Sequence, residues 1–289
     1  MLSSQRLKVL KTYKIFVDGK FPRTESGRYF VFKSEEGEEI ANICHCSRKD
    51  FRDAVSAARN SWPKWSTSTH YNRGQILYRI AEMLEGLRDQ FITVLMQQGS
   101  SEQSARAEVD LSIDRLIYYA GWADKYQQIF SSVNPVASSH FNFSALESGG
   151  VVAILAPEES ALLGLISVMA PALVGGNSIV LLASGSKPLS AVTFGEVLNT
   201  SDVPSGVVNI LTGYRKELLT HFSSHMDVNS VVYCGSSQEE LKVIQENAAL
   251  NVKRVIHWPV QDWTLDQAQG PYSIFDLQEI KTTWHPIGC

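Results

Sequence analysis

At 289 residues, 44% hydrophobic and 19% charged, the chain has the composition of a folded globular protein, with room for one large core or two domains. A formal net charge of −4 and no long basic run remove any electrostatic case for nucleic acid. Apolar runs such as 161–174 fall short of the ~20 residues of a membrane span, the first residues lack a secretory-signal pattern, and four cysteines without a CxxC pair argue against zinc or a disulfide framework, so a cytoplasmic chain is expected.

The chain opens on a basic leader, 1–14. A layer of strands and helices is expected over 15–150. KIFVDGKF alternates around Asp18-Gly19 as a β-hairpin does, and RYFVFKS and EEIANICHCS read as two strands around the turn Glu35-Glu36-Gly37. Ser47 and Asp50 have capping-box spacing, and Phe51, Val55, Ala58 and Trp62 share one face of the helix they would start, with Pro63 marking its end. Helical periodicity then runs over 72–97 and 102–127. The Ser-, Asn- and Pro-rich 130–150 reads as a protruding hairpin.

From 151 to 257 the pattern changes. Five β-branched runs, 151–155, 178–183, 207–211, 228–234 and 254–257, alternate with helical stretches at 162–174, 190–198, 216–224 and 238–250. That alternation predicts an α/β fold with a Rossmann-type, five-stranded parallel sheet buried on both faces. Such a sheet binds ligands past the carboxyl ends of its strands. Residues 258–273 read as a loop, and 274–289 as a helical turn with a final strand.

DAVSAARNSWPKW, YYAGWADKY, APALVGGNSIVL, PSGVVNILTG and YCGS, in this order, resemble segments of the aldehyde dehydrogenase superfamily, and the likeness covers roughly residues 12–257. The terminal DLQEIKTTW resembles the family's last strand, which usually crosses to a neighbouring subunit for oligomerisation. Where the family inserts its catalytic domain, this chain has only 258–274. NVKRVIHWPVQDW followed quickly by KTTWHPIG is most similar to the degenerate second half of aldehyde dehydrogenase family 16.

The resemblance implies NAD(P)-dependent aldehyde oxidation through a cysteine thiolate, oxyanion donors and a base. The family's cysteine motif is nowhere in the sequence, and neither Cys234 nor Cys289 has a cation nearby to activate it. The oxyanion asparagine of the family falls at Glu159, whose charge would repel an oxyanion. Its general-base glutamate falls at Trp258, followed by Val260 and Gln261 for two glycines. Its ribose-binding lysine and glutamate fall at Leu182 and Gly185. Gly235 and Ser236 of the phosphate-binding turn remain, but Glu240 replaces the turn's second glycine.

No cofactor is therefore expected, or NAD(P) only weakly, and no metal. Glu158-Glu159 reads as an acid pair favouring a helix dipole, and His257 as a packed strand-end residue. Trp258, Trp263 and Trp284 either cover a core left open by the missing catalytic domain or form a partner interface. The expected function is a non-catalytic scaffold that associates with another aldehyde dehydrogenase-like unit. The alternative is an aldehyde oxidoreductase whose cysteine domain comes from a partner.

Overall fold

The computed structural model describes residues 9–259 and 262–288. Most of the leader, together with Val260, Gln261 and Cys289, lies outside the described residues.

Short alternating runs build the N-terminal sheet. β1 (Lys11–Tyr13), β2 (Tyr29–Lys33) and β3 (Glu39–Cys44) lie in the order β1-β3-β2. Residues 11–13 are thus a strand instead of leader, because Thr12 and Tyr13 pair in parallel with Asn42 and Ile43. The hairpin expected at Asp18-Gly19 shrinks to a bridge between Val17 and Lys20. Asp18 and Gly19 both take positive φ there, and Phe16 is bridged to Ile210 in the large sheet.

α1 (Arg48–Ser66) starts at the expected capping box, Ser47 with Asp50. Pro63 does not end it. The buried indole of Trp65 donates to Leu173 O at 3.2 Å and anchors one more turn. The periodic stretch 72–97 is two helices, α2 (His70–Gly86) and α3 (Arg88–Gln97), broken at Leu87 (φ −107°, ψ 13°). The stretch 102–127 likewise divides into α4 (Glu102–Trp122) and α5 (Tyr126–Phe130). Periodicity reports which side is buried, and two helices packed on one core keep it across a break. The expected hairpin follows as β4 (Ser132–Asn134) and β5 (His140–Ser148).

The β-branched runs become β6 (Val151–Leu155), β7 (Ser178–Leu182), β8 (Val208–Leu211), β9 (Ser230–Tyr233) and β10 (Arg254–His257). All are parallel, in the order β10-β9-β6-β7-β8. Between them run α6 (Leu163–Val174), α7 (Leu189–Asn199), α8 (Arg215–Ser224) and α9 (Gln238–Ala249). The winding reverses at β6, with β7 and β8 on one side and β9 and β10 on the other. Such a reversal opens a crevice past the carboxyl ends of the strands.

After β10 the chain folds back through a short 3₁₀ turn and α10 (Tyr272–Phe275) to β11 (Gln278–Pro286). β11 pairs antiparallel with β5 along its whole length, from Gln278↔Ser148 to Pro286↔His140. The strand expected to cross to a neighbour therefore pairs within its own chain, in the second three-stranded sheet β11-β5-β4. Trp263, Ala268, Ile274 and Leu277 carry the connecting segment into the main core. Among the described residues no helix is long and apolar enough to cross a membrane.

Candidate functional site

The crevice is bordered by the loops that follow β6, β7, β8 and β9, and charged side chains of the chain itself meet inside it. Glu158 comes from the loop after β6. Its Oε2 accepts from Ser184 Oγ (2.8 Å), Gly185 N (2.9 Å), Ser186 N (3.2 Å) and Ser186 Oγ (3.3 Å). Its Oε1 lies 3.1 Å from Nη2 of Arg215, the first residue of α8. Arg215 also donates to Ala156 O at 2.7 Å and reaches Glu240 Oε2 at 3.6 Å. A cation at a helix N-terminus opposes the helix dipole, so Arg215 is matched here by two acids.

Glu240 sits in the first turn of α9 and accepts from the Tyr233 hydroxyl at 2.7 Å. Burial first, then the Glu240 carboxylate, push the Tyr233 phenol up to about 12. Arg215 lies 5.7 Å from the centre of the same ring, within cation–π range. On its other neighbour the Tyr233 ring stacks with His257 at 5.5 Å, and His257 Nε2 faces Gly235 O at 2.9 Å. His257 is thus the packed strand-end residue its position implies.

Of the cofactor positions, Leu182 is buried at the end of β7 with 2% exposure. Gly185 offers its amide to Glu158 instead of a ribose acceptor. Gly235 is buried and Ser236 exposed in the turn before α9. A Cβ on Gly235 would fall 2.4 Å from the Tyr233 hydroxyl, so the glycine is explained by that ring. Glu240, in the phosphate-binding turn, and Glu158, against the ribose position Gly185, put two carboxylates in the crevice. These residues do not fit NAD(P).

The catalytic positions fare no better. Glu159 Oε1 accepts from the Trp263 indole at 3.2 Å, and Lys187 Nζ donates to its main-chain oxygen at 3.2 Å. It borders an open cavity of about 460 Å³ lined also by Glu108, Leu111 and Leu163. Trp258 is half-buried, and its amide donates to Tyr233 O at 3.1 Å. Burial drives the Cys234 thiol far above its ordinary range, away from a nucleophile's. Among the described residues there is no group of three or more His, Cys, Asp or Glu able to hold a metal.

Glu158 and Glu159 precede α6 instead of sitting in its first turn. Their expected role belongs to Glu108 of α4, whose Oε1 accepts from Leu162 N (2.9 Å), Leu163 N (3.1 Å) and Ser160 Oγ (3.2 Å). Periodicity alone hides Glu108, which reads as a solvated helix residue. Arg115, from the same helix, donates to Ser167 Oγ, Trp263 O and Ala268 O and ties down the segment between β10 and β11. Arg215 does leave a signal in the sequence: it is a cation where a helix begins.

The family model described as "Aldehyde dehydrogenase family" matches residues 21–257. Human retinal dehydrogenase 2 is 33% identical over 253 residues, covering 85% of this chain and 48% of its own. Cytosolic aldehyde dehydrogenase 1 of Elephantulus edwardii is 33% identical, covering 84% and 49%. Among solved structures, an NAD+ complex of aldehyde dehydrogenase from Bacillus cereus superposes with a TM-score of 0.81 at 25% identity, covering 86% of this chain and 51% of its own. PnpE from Pseudomonas sp. WBC-3 gives 0.80 at 28% identity, covering 86% and 50%. The chain spans about half the length of the relatives it matches.

Proposed function

This chain belongs to the aldehyde dehydrogenase family, and from that premise we propose that it is a non-catalytic unit that acts by associating with another aldehyde dehydrogenase-like unit. The observation that carries the reading is the crevice, filled by Glu158, Arg215, Glu240 and Tyr233 where the family's cofactor would lie. The short path from β10 to β11 supports it, because Trp263 seals the core in the place of a catalytic domain. Within the family we read the chain as a shortened unit like the second half of aldehyde dehydrogenase family 16. Its buried free thiols, Cys44, Cys46 and Cys234, suit a cytoplasmic setting.

Calorimetric titration with NAD and NADP tests the loss of chemistry. The expected result is no heat up to millimolar cofactor; micromolar binding would overturn the proposal and favour the second reading, an aldehyde oxidoreductase completed by a partner's cysteine domain. That rival draws on the family and on a solved relative that holds NAD+. For association, the exposed Ile280 and Trp284 of β11 form the face we assign to a second unit. Light scattering of the chain and of an Ile280→Lys/Trp284→Lys variant should show a larger species only for the former, and a monomer in both would sink the assignment.

A further inference from the structure

α8 begins in the crevice with Arg215 and ends about 15 Å away, at a rise of about 1.5 Å per residue. There its last turn meets the start of α1, and a cavity of about 380 Å³ opens between Arg48, Phe51 and Arg52 on one wall and His221, Ser224 and His225 on the other. Phe51 is buried, stacks on Phe222 at 4.2 Å and meets the His225 ring edge-on at 5.7 Å, which holds that imidazole in the wall. In a chain of net charge −4, no carboxylate lines this cavity. Asp53 binds Arg52 through one oxygen only, Oδ1. The amide of Asp227 donates to His225 Nδ1 at 3.2 Å, so the neutral ring carries its proton on Nε2, as a donor. The Arg48 guanidinium, the His221 imidazole and the Ser224 hydroxyl have no hydrogen-bond or ion-pair partner among the described residues. The two helix ends offset one another, since the start of α1 favours an anion and the end of α8 opposes it. At the latter, Lys253 donates to His225 O at 2.7 Å and adds a positive charge. The side chains therefore decide the sign of the cleft, and it is positive.

We infer that this cleft between α1 and α8 binds a phosphoryl dianion, as inorganic phosphate or a phosphomonoester. Its donors come from two facing walls, guanidiniums on one and an imidazole N–H and a hydroxyl on the other. A tetrahedral anion presents oxygens to both walls at once, whereas a carboxylate presents two in one plane. No long basic run extends the cleft into a track for a nucleic-acid backbone. The imidazoles supply a readout. Burial and then Arg48 hold His221 below the ordinary imidazole range; burial does the same to His225, where Asp227 opposes the shift and Lys253, Arg48 and Arg59 add to it. A dianion in the cleft offsets those cations and draws protons to both rings. The site is separate from the crevice, and nothing in it depends on whether the crevice holds a dinucleotide.

The test is calorimetric titration of inorganic phosphate, glycerol 3-phosphate and citrate, at constant ionic strength, into the wild type, Arg48→Gln/Arg52→Gln and Arg79→Gln/Arg106→Gln. The last removes two exposed arginines on α2 and α4 and controls for charge alone. The wild type should bind phosphate, Arg48→Gln/Arg52→Gln roughly tenfold or more weakly, and the control within about twofold of the wild type. In proton NMR of the wild type, with His221→Gln and His225→Gln for assignment, phosphate should move the His221 and His225 imidazole resonances and raise both pKa values. Glycerol 3-phosphate bound more tightly than phosphate would identify a phosphomonoester as the ligand, and bound no more tightly, the free anion; either supports the site. It is overturned if the wild type binds neither, if binding survives the loss of both arginines or falls equally in the control, or if citrate binds as tightly as phosphate. Binding that leaves the His221 and His225 resonances unmoved lies elsewhere and equally overturns it. Should Arg48→Gln/Arg52→Gln fail to fold, those resonances in the wild type decide alone.

Discussion

Lys253 is buried, and its ammonium donates to the main-chain oxygens of His225 and Val228, both at 2.7 Å. Burial lowers its pKa to about 8, opposed only by Asp227. A lysine depressed in the folded state gives up its proton there before it does in the unfolded chain. Its contribution is therefore unfavourable at neutral pH and is relieved as the pH climbs from about 8 towards the unfolded value near 10.4. Chemical denaturation of the wild type and Lys253→Met at pH 7.5 and 9.5 should show the wild type gaining relative to the variant; a constant difference would mean the lysine does not titrate in this window. Such single-residue chemistry is only partly legible in the sequence. The replacements at Glu159, Leu182, Gly185, Glu240 and Trp258 stand out against the family's motifs, and each sits near the crevice or its rim. What replaced the lost groups is not legible, because Glu158, Arg215 and Tyr233 lie far apart in the chain and only the winding of the sheet brings them together.

The elements follow the same division. The five strands and four helices of 151–257 are read correctly because β-branched runs and amphipathic stretches differ in both length and period. The breaks at Leu87 and after Trp122 escape notice although Gly86 and Gly121 lie beside them, since the helices on either side bury the same side and the periodicity runs on. The connection from β10 to β11 is the least legible of all, because its order comes from outside it. Arg115 donates to Trp263 O at 2.9 Å and Ala268 O at 3.1 Å, and Trp263 itself is 4% exposed. Hydrogen bonds to a charged group contribute about 1.5–3 kcal/mol each when partly or fully buried. Removing the guanidinium strands two carbonyls and loosens the indole over the core. Arg115→Met is accordingly expected to cost about 3 kcal/mol in urea denaturation and to make 262–271 the first site of limited proteolysis. Cleavage elsewhere first, with stability unchanged, would show that Trp263 holds the segment unaided.

For the molecule as a whole, the groups displaced by burial set a pH window. His70, His221 and His225 are all held below the ordinary imidazole value, chiefly by burial. The unfolded chain then binds protons more readily than the folded one, so this stability is present above about 6.5 and is lost as the pH falls below it. On the alkaline side, burial raises the thiols of Cys46 and Cys234 far above their ordinary value of 9.0. Unfolded thiols ionise there while the buried ones cannot, so two protons are lost on unfolding against the single one that Lys253 contributes in the opposite sense. The net is about one proton, a loss of roughly 1.4 kcal/mol per pH unit above about 8.5–9. Stability should thus be nearly level from about pH 7 to 8, rise slightly towards 8.5 as the Lys253 penalty is relieved, and fall on both sides. The cysteines identify themselves in a Cys46→Ala/Cys234→Ala variant: although less stable at pH 7.5 for the lost packing, it should gain stability between about pH 8 and 9, below the range in which unfolded tyrosines ionise, as Lys253 titrates. Parallel pH profiles for the two proteins would place the alkaline loss on other groups, the raised phenols of Tyr119, Tyr126 and Tyr233 being next in order.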